Sequence, residues 1–108
     1  MNRDTEAESN RHEPGSDEVV AAAGDPGRLM EGEVPDTRFV EDCEHWLSTY
    51  AELCAFKEQV LAAALEANEG VGPTGRQETS QDIRLLTAEH RRLLTRLEFW
   101  QRRRREFS

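Results

Sequence analysis

The sequence predicts an all-α protein, a coiled-coil-like antiparallel two-helix hairpin that follows a disordered acidic N-terminal tail. Three observations lead there. Between Ile83 and Phe107, the positions Ile83, Leu86, His90, Leu93, Leu97, Trp100, Arg104 and Phe107 recur at alternating steps of three and four, and six of the eight are apolar. That spacing keeps one seam of a helix turned toward a neighbour. A second amphipathic stretch, Phe39 to Asn68, precedes it, and a cluster of glycine and proline separates the two.

The chain has 108 residues, 36% hydrophobic and 33% charged. It is therefore at most one small domain with a thin core, more highly charged than the average soluble protein. Charge is unevenly spread: residues 1–36 carry −7, 37–68 carry −4, 69–79 carry −1 and 80–108 carry +4, within a total of −8. The acidic total argues against nucleic acid as a partner of the whole chain.

Residues 1–36 hold three of the four prolines, four glycines and ten acids, with no helical or alternating pattern. Such a segment buries too little apolar surface to offset an ordering entropy of about 1 to 2 kcal/mol per residue. It reads as a disordered tail. Ser16 to Ala23 is expected to form a transient helical turn or two, with Ser16 as cap, Asp17 and Glu18 at the positive end, and Gly24 and Pro26 ending it.

The first long helix is expected over 37–68, starting at Asp36 or Thr37 with Glu41 and Asp42 in its first turns. Its stripe is wide: Phe39, Val40, Cys43, Trp46, Leu47, Tyr50, Leu53, Cys54, Val60, Leu61, Ala64 and Ala67 are interrupted by Lys57 and Asn68. A stripe of that width serves a helix with two neighbours rather than one. Residues 69–79, with Gly70, Gly72, Pro73 and Gly75, read as a loop, and Thr79 with Asp82 reads as a capping box opening a second helix over 80–107. Two helices joined by about ten residues fold back on each other most economically. With Asn68 facing Ser80, partner numbers sum to about 148, and Lys57 shares a layer with His90.

The sequence offers no enzyme signature: no phosphate-binding loop, no nucleophile elbow, no His-Glu metal helix and no strand to carry one. The expectation is a non-enzymatic protein without cofactor or metal. Cys43 and Cys54 lie eleven positions apart on one helix, roughly 16 Å along its axis, too far for a disulfide. Both fall on the apolar stripe and read as small buried hydrophobes. His12 and His45 stand in no ligand spacing.

Lys57 and His90 interrupt the two seams and read as a polar layer that fixes register and partner number. Arg102, Arg103, Arg104 and Arg105 read first as a solvated helix end neutralised by Glu41, Asp42 and Glu44 of the first helix, and second as a phosphate-contacting patch.

A lone hairpin leaves part of the wide stripe wet. The residues expected to meet a partner or the opposite helix are Phe39, Val40, Trp46, Leu47, Tyr50, Leu53, Leu61, Leu85, Leu93, Leu97, Phe99, Trp100 and Phe107. Large apolar side chains are worth roughly 1.5 to 3 kcal/mol each when buried, so exposed ones mark an interface. The expected function is a small coiled-coil subunit or adaptor of a multi-protein complex, either as a homodimeric four-helix bundle or docked on another chain. Two alternatives stand beside it: a nucleic-acid-associated factor using the second helix's arginines, and an antagonist whose acidic tail mimics a polyanion. No apolar run reaches the roughly 18 residues of a membrane span, the N-terminus lacks a secretory signal, and two cysteines make no disulfide framework. An intracellular location, cytoplasmic or nuclear, is expected.

Overall fold

The structure, a computed structural model, describes residues 16–107, with the side chains of 73, 74 and 76–78 left aside. These residues form three helices and no strand: α1 (Asp17–Ala23), α2 (Val40–Glu69) and α3 (Pro73–Arg105). The protein is all-helical, yet it is more than a two-helix hairpin.

The tail departs furthest from expectation. Residues 1–15 lie outside the described residues, but residues 16–36, expected to be disordered, are folded onto the hairpin. Ser16 caps α1 by accepting a hydrogen bond from Val19 N–H at 3.2 Å, and Asp17 and Glu18 occupy the first turn. A seven-residue helix is marginal alone, so its order comes from packing. Ala23 and Ala88 of α3 are both buried, and a Cβ on Gly24 would meet the Ala88 Cβ at 3.4 Å. Asp17 also pairs with Arg84 at the surface.

After α1 the chain makes three turns on its way to α2, closed by Arg28 N–H on the Asp25 carbonyl, Glu33 N–H on the Met30 carbonyl and Thr37 N–H on the Val34 carbonyl, and residues 16–37 together form a strap along the hairpin. Gly27 N–H bonds the Asp25 carboxylate at 2.9 Å. Glu33 N–H closes a turn onto the Met30 carbonyl at 3.0 Å, with Gly32 inside it at φ +85°. That left-handed conformation is one that only glycine adopts cheaply. Arg92 of α3 holds the strap by donating to the Arg28 carbonyl at 3.2 Å.

Helix α2 starts at Val40, a few residues later than Asp36 or Thr37. Thr37 is buried and braces the start instead: its hydroxyl donates to Asp42 and accepts from Phe39 N–H at 3.2 Å. Helix α3 begins at Pro73, seven residues before the expected start. Proline is well placed in the first turn, where its missing N–H has no partner to lose, so Gly72 and Pro73 open the helix where the loop was expected to extend to 79. The expected capping box does not form. Thr79 sits inside the helix and its hydroxyl donates to the Gly75 carbonyl at 2.8 Å.

α2 and α3 run antiparallel. Trp46 stacks on Trp100 with ring centroids 6.5 Å apart and an interplanar angle of 22°. Lys57 reaches Glu89, and Glu58 reaches His90. The partner numbers in these three pairs sum to 146 or 148. Cys43, Trp46, Tyr50 and Cys54 of α2 pack with Leu93 and Trp100 of α3 as the buried core. The molecule is a slab with principal extents of 53 × 41 × 14 Å, so it is about one helix thick in its shortest direction.

Candidate functional site

Among the described residues the most densely hydrogen-bonded polar site is built on Glu33, a residue that the sequence places in the tail. Its side chain is wholly buried against the hairpin. Oε1 accepts from the Tyr50 hydroxyl and, at 2.9 Å, from Met30 N–H. Oε2 accepts from Arg96 Nε at 3.1 Å and from its Nη2, and from Trp100 Nε1 at 2.8 Å. One carboxylate thus collects donors from both long helices and from its own turn. Burial pushes its pKa upward, but the bonds from Tyr50, Met30, Arg96 and Trp100 outweigh that and hold it below the usual value. The Tyr50 hydroxyl is pushed up to about 12, by burial first and then by its bond to Glu33 and that group's charge.

This arrangement is chemically saturated. Five donors on two oxygens leave little capacity for a substrate, and Arg96, itself buried, has its charge matched. Its effect is to fasten the strap to the hairpin at the level of the aromatic core. Buried charges are tolerated when paired and hydrogen-bonded in this way.

The strap contacts one side of α3. Arg84, Ala88, Arg92, Arg96 and Arg103, which meet residues 17–37, recur at helical spacing beside the seam that faces α2. On the far side of that seam lie Ile83, Leu86, His90, Leu94 and Leu97, half-buried. The matching flank of α2 carries Leu47, Glu58, Leu61 and Leu65. Leu47 and Leu61 are half-buried, Glu58 is exposed and Leu65 is 48% exposed. At 100° per residue these side chains form one continuous leucine-rich face along the hairpin, opposite the strap. Glu58 and His90, 3.1 Å apart, sit near its midpoint.

The residues expected at an interface divide by this geometry. Trp46, Tyr50, Leu93 and Trp100 are buried in the chain's own core. Leu47, Leu53, Leu97, Phe99 and Phe107 pack against that core while remaining partly open. Phe99 lies edge-on to Trp100 and under the Arg96 guanidinium, 4.4 Å from its ring centroid. Val40, Leu61 and Leu85 are half-buried, and Phe39 is 66% exposed. Leu85 lines an open cleft of about 520 Å³ against α1, together with Glu18, Val19, Ala22 and Glu89. Phe56, Leu65, Leu29 and Val34 are further exposed apolar residues that the seam counting passed over. Phe56 and Leu65 were legible as apolar residues off the a, d and e positions. Leu29 and Val34 were hidden by their assignment to the tail.

Lys57 and His90 lie at the same level without touching. Lys57 pairs with Glu89 at 3.3 Å, while His90 pairs with Glu58. The arginine run is likewise divided. Arg103 donates to the Thr37 carbonyl at 2.6 Å, pairs with Glu106 at 2.7 Å and stacks over Phe107 at 5.3 Å. The expected neutralisation by Glu41, Asp42 and Glu44 does not occur through direct ion pairs. The strap reaches Arg103 first, Asp42 is taken by Thr37, and among the described residues Arg102, Arg104 and Arg105 make no ion pair with an acid. Cys43 and Cys54 are free, buried thiols whose pKa values burial raises.

Among the described residues no helix is long and apolar enough to cross a membrane, and no three His, Cys, Asp or Glu side chains gather as a metal site needs. The class that fold and surface define is an all-helical protein in which a hairpin is strapped on one side and open on the other. Comparison with protein-family models, curated proteins and solved structures finds no match.

Proposed function

We propose that the protein is a non-enzymatic helical interaction module, a small subunit or adaptor of an intracellular protein complex, and that the open leucine-rich face is where it binds. The observation that carries this reading is the one-sided cover of the hairpin. The strap spends its contacts on the Arg84–Arg103 side of α3 and on Tyr50 of α2, and leaves Leu47, Leu61, Leu65, Leu86, Leu94 and Leu97 at least partly wet along both long helices. Contiguous apolar faces of this kind are protein contact surfaces more often than not. In-cell crosslinking of the tagged full chain tests it. The wild-type chain should crosslink to protein, its own copy included, and Leu65→Glu with Leu94→Glu should abolish those products. A chain that crosslinks to no protein refutes the reading.

A second reading, contact with a nucleic acid backbone, has one observation in its favour: among the described residues Arg102, Arg104 and Arg105 have no acid paired to them. Each such arginine can release counterions on meeting phosphate. Binding of the full chain to duplex DNA and to RNA at low salt, compared with the Arg102→Gln, Arg104→Gln, Arg105→Gln triple variant, decides it; equal weak signals remove nucleic acid from consideration. The polyanion-mimic reading loses ground because Glu33, one of the tail's acids, is buried.

A further inference from the structure

The open face suits one occupant particularly well. Helix α2 carries seven acids and one base, a net −6, whereas α3 carries nine arginines and four acids, a net +5. They lie side by side on a slab whose shortest extent is 14 Å. Arg84, Arg92, Arg96 and Arg103 turn to the strap, which leaves α3 five arginines against four acids beside the strongly acidic α2; a surface acidic along one of its two helices only is complementary to itself when turned about an axis parallel to the helices. We infer that a second copy of this chain covers the open face, giving a twofold dimer in which α2 of each copy lies antiparallel against α3 of the other. The inference rests on the interaction-module reading and names its partner.

Charge and geometry select this arrangement over the other twofold. An axis along the helices keeps the two acidic α2 helices apart and places each helix between two neighbours of opposite dipole, as a four-helix bundle prefers. An axis across the helices would lay α2 on α2 and α3 on α3, stacking like charges. The axial twofold also keeps levels unchanged, so Glu58 and His90 of one copy meet the same pair of the other in one polar layer at the middle of the leucine face. Isologous contacts of this type are the commonest route to a soluble homodimer. Two helices about 45 Å long and roughly 10 Å wide each present roughly 900 Å² per copy, close to the ~800 Å² that a standard interface takes from each partner.

Sedimentation velocity of the full chain from sub-micromolar to hundred-micromolar concentration tests the inference, with far-UV circular dichroism to establish that each variant stays helical. The wild type should approach twice the 12.3 kDa chain mass. Leu65→Glu and Leu94→Glu should each weaken the dimer at least about tenfold. Phe56→Glu, on the flank of α2 away from the leucine face, should leave it unchanged. A wild type monomeric throughout overturns the second copy, and if crosslinking still finds another protein, the broader reading survives it. A dimer that tolerates Leu94→Glu, or that Phe56→Glu dissociates, overturns the choice of face. Mixing wild type with Glu58→Lys tests the axis: preferential mixed dimers would put α2 on α2 and overturn the proposed orientation.

Discussion

Removing the Glu33 carboxylate tests the most consequential feature of the fold, because one side chain fastens the strap to both long helices. Glu33→Ala leaves Arg96 buried with an uncompensated charge, and it orphans the Tyr50 hydroxyl and Trp100 N–H, three groups that now donate to the carboxylate. Breaking a buried pair from one side costs about 3 to 5 kcal/mol. For a domain of this size each kcal/mol moves the melting temperature by about 4 to 8 °C, so the drop should be at least about 12 °C. Thermal unfolding followed by far-UV circular dichroism and by the fluorescence of Trp46 and Trp100 reads it out. If the strap contributes through this pairing, Glu33→Ala with Arg96→Met should recover much of the loss, since removing both partners leaves no buried charge. A single-variant loss below about 1 kcal/mol, the range of an exposed ion pair, would refute the reasoning and return residues 16–37 to the solvent.

Further predictions concern pH, backbone and thiols. Because Glu33 has its folded pKa below its ordinary 4.5, its stabilising contribution is complete above that value and is lost as pH falls through the folded pKa; stability measured below pH 4.5 should decline less steeply in Glu33→Gln. Tyr50 works at the other end: with its pKa raised from 10 to about 12, its contribution is complete below pH 10 and is lost as pH climbs toward 12, a limb absent from Tyr50→Phe. Gly32→Ala forces a side chain into φ +85° and should cost about 1 to 2 kcal/mol in denaturant unfolding. Gly75→Ala should instead stabilise by about 0.5 to 1 kcal/mol: the position is helical and the new Cβ would meet the Val71 side chain at ordinary distances, 3.4 Å from its Cβ and 3.8 Å from its two methyl carbons. Destabilisation there would contradict a helix starting at Pro73. Cys43 and Cys54, buried and with raised pKa values, should react with a thiol reagent at neutral pH far more slowly in the folded chain than in denaturant; equal rates would contradict their burial.

The antiparallel pair of long helices, its approximate register and the opposite charges of α2 and α3 were all legible in the sequence. Apolar periodicity and charge are local quantities that a helix converts directly into faces, so Trp46 and Trp100 could be set on facing seams before any fold was known. The start of α3 was misplaced for a local reason too: Pro73 and Gly75 carry the same signals in a loop and in the first turn of a helix, and only the tight turn at Gly70–Gly72 distinguishes them. Within residues 16–36 the short helix Asp17–Ala23 with its Ser16 cap was legible as a local signal, but the docking of these residues on the hairpin was not. Their composition is that of a disordered chain, and the group that orders them, Glu33, matches Arg96 and Trp100 across separations of 63 and 67 residues. One glutamate among ten acids carries no mark of burial; what buries it is the convergence of four donors that exists only after α2 and α3 have packed. Sequence therefore determined the hairpin, through periodicity, while the tertiary structure alone decided which of its sides the strap would cover, because that choice rests on long-range hydrogen bonds to a single carboxylate.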